Sequence, residues 1–200
     1  ILPDIDHPGA TISRSLPPLT HALSRLVSIV SGGHRKGTHA IIGWLSFGLV
    51  AFVLASWQWE APSLTLGPLD VPPDTISPGL GLIAGFLAGI ALTALHLDPG
   101  GVPGWLVAIV MGGIAARADI DPVVVGALVT VGCAIHVVLG DGLTTKGVRY
   151  LYPLIKTRFR LPVLGKTGSR REIMYVTVLA AVAIIAPLFQ TIVIPWMQTF

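Results

Sequence analysis

Five stretches of this chain contain no Asp, Glu, Lys or Arg: His39 to Trp59, Ile76 to Leu97, Pro99 to Ala116, Pro122 to Gly140 and Ile173 to Phe200. A helix needs roughly 20 apolar residues to cross the hydrocarbon core of a bilayer, and most of these runs reach that length. Composition agrees. Charged residues are 12% of the chain, hydrophobic residues 52%, and the mean hydropathy is +0.78, against about 25% charged residues in an ordinary soluble domain. The expectation is an all-α, polytopic membrane helix bundle forming a single membrane-embedded domain over residues 1–200. Its transmembrane helices fall at about 40–59, 79–97, 102–116, 122–140 and 173–197. The run at 102–116 is the shortest and is open to a re-entrant reading.

Basic residues orient the bundle. Arg14, Arg25, Arg35 and Lys36 lie in 1–39; Lys146, Arg149, Lys156, Arg158, Arg160, Lys166, Arg170 and Arg171 lie in 141–172; only Arg117 lies elsewhere. The stretch from Glu60 to Ser77 carries Glu60, Asp70 and Asp74 and no cation. The positive-inside tendency places 1–39 and 141–172 in the cytoplasm and 60–77 and 117–121 outside, in a multi-pass protein of the cell (inner) membrane. Topology signalling alone accounts for such a distribution, and basic residues beside a bilayer also attract anionic headgroups. The sequence opens on Ile1 rather than Met, directly at an acidic motif, without an ordered secretory signal, so an upstream piece is expected. Cys133 is the only cysteine, which excludes an intrachain disulfide.

Three polar clusters abut the apolar runs: Pro3-Asp4-Ile5-Asp6-His7, His34-Arg35-Lys36-Gly37-Thr38-His39, and His136 with Asp141. The five crossings bring all three to one end of the bundle, which suggests a single metal site at the membrane surface. Burying such groups unpaired costs several kcal/mol. The alternative is that they cap helix ends or pair with arginines, and for His7 that is the simpler reading. Carboxylate oxygens with imidazole nitrogens suit zinc, manganese or iron, and the lack of clustered cysteine argues against a structural thiolate site. In an extended segment Asp4 and Asp6 point to one side, and His39, at a helix start, aims back toward them. His136 and Asp141 lie roughly 140° apart on a regular α-helix, so a π-bulge or a break at Gly140 is expected to unite them.

Between the first two clusters, Leu19, Ala22, Leu23, Leu26, Val27 and Val30 recur with helical spacing, with Pro17-Pro18 before and Gly32-Gly33 after. This predicts an amphipathic helix over 16–31, lying in the interface plane or across the bundle's mouth, with Thr20, Ser24, Arg25 and Ser28 opposite the apolar face and His21 at the surface. Gly81, Gly85 and Gly89 allow close helix approach, within the chain or as a homo-oligomer seam. His96 and Asp98 end that helix, near the site or simply solvated. Gly165-Lys166-Thr167 imitates the end of a phosphate loop, but the required upstream glycine position is Arg160, which excludes a P-loop.

Leu2-Pro3-Asp4-Ile5-Asp6-His7-Pro8, His34-Arg35-x-x-Thr38-His39, and His136 to Asp141-Gly-Leu-Thr144-Thr145-x-Gly147-Val148 followed by Tyr152-Pro153 resemble the motifs of the LexA-binding, inner-membrane-associated hydrolases (YdjM-like), also labelled membrane-bound metal-dependent hydrolases. The resemblance covers nearly the whole chain. It implies a distant likeness to zinc-dependent phospholipase C and P1-type nucleases, and so a phosphoester-cleaving reaction, by analogy of fold. This sequence departs from the family by spacing His136 and Asp141 five apart rather than four, and by starting after the point where members carry a further helix with a histidine.

The reading that follows is a hydrolase acting on a lipid or lipid-linked phosphate at the cytoplasmic face. A divalent metal, zinc foremost, is held by Asp4, Asp6, His39, His136 and Asp141 with help from His34 or His7, and activates water. Arg35, Lys36, Lys146 and Arg149 hold the phosphate, arginine being the better bidentate partner, and Thr144 or Thr145 donate hydrogen bonds. Asp6 or Asp141 serves as general base, and Arg35 completes the catalytic set. Glu172 either orients the site or is a helix N-terminal acid. The partners expected are the bilayer and the substrate, with no nucleic acid. The alternative is a non-enzymatic membrane protein whose polar face docks a cytoplasmic partner. A transporter would instead need ionisable groups near the bilayer midplane.

Overall fold

The computed structural model describes residues 2–66, 69–71, 73–94 and 102–188. They are mostly helical: α1 (Leu19–Val30), α2 (Ile41–Ala55), α3 (Pro78–Ala94), α4 (Val102–Ala115), α5 (Pro122–Ile135) and α6 (Arg170–Leu188). α5 continues through a π turn at His136–Gly140 into a 3-10 turn at Asp141–Leu143. His96, Asp98 and the expected helix beyond residue 188 lie outside the described residues.

Between α2 and α3 the chain departs locally from the helical pattern. Four short strands lie there: β1 (Trp59–Ala61), β2 (Leu64–Leu66), β3 (Leu69–Val71) and β4 (Asp74–Ile76). β1 pairs antiparallel with β4, Trp59 opposite Ile76, and β2 with β3, Leu64 opposite Val71. Polar and apolar residues alternate in Leu64-Thr65-Leu66 and Leu69-Asp70-Val71, the period of a pleated strand rather than of a helix.

Small residues let the helices approach. A Cβ on Gly126 of α5 would lie 2.9 Å from the Gly48 carbonyl of α2, and one on Gly112 of α4 would lie 2.7 Å from the Gly81 carbonyl of α3. Gly85 meets the Ala108 carbonyl of α4 in the same way, and Gly89 meets the Leu16 side chain. The close approach that Gly81, Gly85 and Gly89 permit is thus made within the chain. Ala51, Ala55, Leu80 and Val125 fill the seam between α2, α3 and α5, while Leu45, Leu49, Leu82, Ile109, Leu128 and Val131 face outward. Small residues inside and large aliphatic ones outside suit helices packed in lipid.

The helices alternate in direction. At one end Ser77 N donates to the Ala116 carbonyl (2.7 Å) and Arg117 pairs with Asp74. At the other, His39 precedes α2, His136 follows α5, and Trp105 Nε1 of α4 donates to the Pro17 carbonyl (3.1 Å). The two ends of α4 therefore lie at opposite ends of the described helices. Among the described residues one helix, Pro122–Leu143, is long and apolar enough to cross a membrane. α2, α3 and α4, with 15, 17 and 14 residues, are apolar but shorter than a hydrocarbon core of roughly 30 Å at about 1.5 Å per residue.

α1 presents three sectors. Thr20 and Ser24 are fully buried: Thr20 Oγ1 donates to the Ser13 carbonyl (2.9 Å), and Ser13 Oγ donates to Ser24 Oγ (3.0 Å). Leu19, Leu23, Leu26, Ile29 and Val30 are exposed, as are His21 and Arg25 on a separate flank. The helix therefore packs against the protein through hydroxyls and turns most of its apolar face outward. Val27 alone reaches the core formed by Ile5, Ile12 and Ile90.

Candidate metal centre

The first motif folds as a 3-10 turn, Leu2–Asp6, rather than the extended segment expected. At three residues per turn, positions two apart diverge by about 240°, so Asp4 and Asp6 go to different places. Ile5 is buried between them and anchors the turn on Ile12 and Ile90. Asp4 points into a cluster with His39, His136 and Asp141, while Asp6 is buried behind it.

His136 and Asp141 are united by the π turn: the Asp141 N–H reaches the His136 carbonyl, an i to i+5 hydrogen bond that sets the two side chains about one turn apart on the same side. The five-residue spacing is thereby accommodated. His136 Nε2 lies 3.0 Å from Asp4 Oδ2 and 3.8 Å from Asp141 Oδ2; His39 Nε2 lies 3.4 Å from Asp4 Oδ1 and 3.3 Å from Asp141 Oδ2. Asp4, His136 and Asp141 offer three ligand atoms within 4.8 Å of one another, and Asp4, His34 and His39 do the same, with Asp4 common to both groups.

The hydrogen bonds behind this cluster aim it. Thr38 Oγ1 donates its proton to Asp6 Oδ2, so it can only accept from His39 Nδ1, 3.0 Å away. His34 Nδ1 meets the other Asp6 oxygen at 2.8 Å. With Nδ1 of His39 carrying the proton, Nε2 presents a lone pair to two carboxylates. Among the described residues, His39 Nε2 and Asp141 Oδ2 are both buried without a hydrogen-bond partner. Three acceptors facing each other in a buried place need a cation among them, and a divalent metal fits this donor set of imidazole and carboxylate. A proton is the competing cation. Burial alone would lower His39, but Asp141 and Asp4 outweigh it and raise the imidazolium to about 9. Burial likewise pushes Asp4 up, yet its hydrogen bonds with His136 and His39 and the charge of His136 hold its carboxyl far below the usual range.

Asp6 is thus placed as an orienter of His34 and, through Thr38, of His39, the kind of outer hydrogen bonding that fixes a ligating ring. His7 sits at the rim, exposed, its ring 4.8 Å from that of His34 and its Nδ1 accepting from Gly9 N at 3.1 Å. It belongs to neither ligand group.

Beside the cluster opens a cleft of about 220 Å³ lined by His34, Arg35, Lys36, Lys146, Gly147, Arg149 and Arg158. Arg35 joins cleft and cluster. It sits at φ 60, a left-handed conformation that a non-glycine residue adopts only when held there. Its Nη2 pairs with Asp141 Oδ1 and reaches Thr167 Oγ1, while its Nε and Nη1, with Arg149 Nε, are buried and find no partner among the described residues. Donors without acceptors in a cationic cleft suit an anion.

Of the expected phosphate-binding residues, Arg35, Lys36, Lys146 and Arg149 come together here. Thr144 does not line the cleft: it is fully buried and its hydroxyl donates to the Asp141 carbonyl (2.7 Å), holding the turn after the π segment. Thr145 also lies off the lining; its N–H donates to the Gly165 carbonyl (2.9 Å). Glu172 is a helix N-terminal acid: it accepts from Gly168 N while Glu172 N donates to Ser169 Oγ, a cap for α6.

Thr38 and Gly147 stand in the motifs that carry the family resemblance without a role of their own there, and Arg158 stands only in the basic segment. The adjacency of Thr38 to His39 was the available signal for Thr38. Gly147, at φ 62 with a Cβ position 2.5 Å from the Phe159 carbonyl, and Arg158 come to the cleft through the pairing of Val148 with Phe159, which no spacing announces.

Among known proteins, the family model described as YdjM inner membrane protein matches residues 1–197. No curated protein and no solved structure matches the chain.

Proposed function

The chain belongs to the YdjM inner membrane protein family, and on that premise we propose a multi-pass, metal-dependent hydrolase that cleaves a phosphoester of a lipid or lipid-linked substrate at the cytoplasmic membrane face. α2 to α6 are its five crossings; residues 1–39 and the basic segment 141–172 carry the site on the inner side. One observation carries the reading: donors of Asp4, His39, His136 and Asp141, drawn from distant parts of the chain, converge to 3.0 to 3.8 Å beside a cleft lined by cations.

Asp4, His39, His136 and Asp141 would hold the metal, zinc by donor chemistry, with His34 next to them. Bound there, the ion supplies an acidified water and polarises a phosphoryl oxygen. The other steps belong to the chain's own groups. Asp6 and Thr38 keep His39 in the tautomer that offers Nε2. The free N–H groups of Arg35 and Arg149, with Lys36, Lys146 and Arg158, bind the phosphate and offset its charge as the bond breaks. Of the two carboxylates considered as general base, Asp6 has both oxygens engaged by His34 and Thr38, and Asp141, with Oδ1 on Arg35 and Oδ2 facing the metal position, serves as base only through an oxygen that the metal leaves uncommitted.

The test is purification in detergent, quantification of bound metal and assay of phosphate release from phospholipid and prenyl-phosphate substrates. Stoichiometric metal that is lost together with activity in Asp4→Ala and His136→Ala supports the reading. Wild-type protein that binds no divalent metal, with stability unchanged in both variants, ends it. A face that only docks a partner would tolerate those replacements and fail on loss of Lys146 and Arg149.

A further inference from the structure

Residues 151–163, inside the segment whose charge reads as cytoplasmic, do not have the surface of a soluble loop. Leu154 is 91% exposed, Leu161 63% and Val163 58%, with Leu151, Ile155 and Phe159 also exposed. Lys156, Arg158 and Arg160 stand among them, all exposed. No Asp or Glu occurs between Asp141 and Glu172. Six exposed apolar residues within thirteen positions, mixed with cations, are costly in water, and they have the chemistry of a surface that inserts among anionic headgroups. Its position agrees: the segment lies in the connection that runs from the π and 3-10 turns at the end of α5 to the start of α6.

We propose that residues 151–163 lie in the headgroup layer of the membrane, with Leu154, Ile155, Leu161 and Val163 inserted at the acyl boundary and Lys156, Arg158 and Arg160 on anionic lipid phosphates. The occupant of this face is the lipid surface itself, because the segment carries both positive charge and apolar side chains and belongs to the connection between two apolar helices of an inner membrane protein family member. Phe159 ties the segment to the site: its backbone exchanges hydrogen bonds with Val148 at 2.8 and 2.9 Å, and its ring lies 5.7 Å from that of Tyr150. Arg158 lies both in this segment and in the lining of the cationic cleft. A phosphate on a lipid therefore has a path from the headgroup layer into the cleft along one wall, without leaving the membrane. The surface assignment stands independently of any hydrolase activity; the path rests on the proposed function.

The experiment uses the full chain with Cys133→Ala, carrying Leu154→Cys or, separately, Val163→Cys labelled with an environment-sensitive fluorophore, in nanodiscs of phosphatidylcholine with and without phosphatidylglycerol. The expected result at both positions is blue-shifted emission, quenched by lipids bearing a nitroxide near the headgroup and more strongly so with phosphatidylglycerol. Lys156→Gln with Arg160→Gln should remove the phosphatidylglycerol dependence. Water-like, unquenched emission at both positions in either lipid overturns the proposal and leaves the face to a protein partner. Quenching that ignores phosphatidylglycerol overturns the role of the cations. Neither readout requires enzyme activity, so failure of the hydrolase reading remains separately visible.

Discussion

At one end of the bundle Arg117 and Asp74 pair across 3.2 Å with both side chains about half exposed, and Asp121 caps α5 by accepting from Val123 N at 2.8 Å. At the other end Asp4, Asp6, His39 and Asp141 crowd into one mostly buried cluster in which His39 Nε2 and Asp141 Oδ2 find no hydrogen-bond partner. The residue types are similar; the energetics are opposite. An exposed pair is solvated whether or not it forms, so it contributes at most about 1 kcal/mol. Buried carboxylates and an imidazole lone pair facing one another destabilise the fold unless a cation joins them. Ionisable groups collected where they cost most make the end with Asp4, His39 and Asp141 the candidate site.

The largest effect should follow from removing a converging donor. Asp4→Ala or His136→Ala is expected to abolish stoichiometric metal and bring phosphate release to background, measured by elemental analysis and phosphate assay. Retained metal in both would erase the distinction between the two ends. Next comes Thr38→Val, which keeps the shape of the side chain but severs Asp6 from His39. A loss of outer-layer orientation of this kind costs about 10–100-fold in metal affinity, readable by chelator competition, while Asp4 and Asp141 stay in place.

Acidity sharpens the contrast further. In metal-free protein His39 is raised from 6.5 to about 9, so the stability its proton contributes is complete below about pH 6.5 and is lost as pH rises toward 9. Thermal unfolding in detergent with chelator should therefore fall across that window. Adding metal should cancel the fall, because the ion replaces the proton and binds more tightly as His39 deprotonates. The smallest effect is expected of Arg117→Ala, a change within about 1 kcal/mol and no change in metal content.

Several parts of the fold were legible in the residues. Charge-free runs marked α2 to α5, because a long apolar stretch satisfies its backbone polar groups most readily within a helix, and the distribution of basic residues anticipated two ends. The irregularity between His136 and Asp141 was also legible: a five-residue spacing on a regular helix would separate them, and the π turn is the departure that unites them. Asp6 was not legible. Its partner depends on whether Leu2–Asp6 is extended or a 3-10 turn, and the burial of Ile5 against Ile12 and Ile90 selects the turn. The sectors of α1 were half visible, since its amphipathic period is in the sequence but the burial of Thr20 and Ser24 depends on hydroxyl and carbonyl groups of Ser13.

By itself the chain determined a helical, lipid-compatible protein with its chemistry gathered at one end, because hydrophobic period and charge placement act locally and can be summed along the sequence. Which atoms meet was decided only by the tertiary structure. The turn that diverts Asp6 from Asp4, the relay through Thr38 and the arrival of Arg158 beside Arg35 depend on contacts between segments far apart in the chain, and a few ångströms there decide whether a carboxylate binds a cation or a hydroxyl.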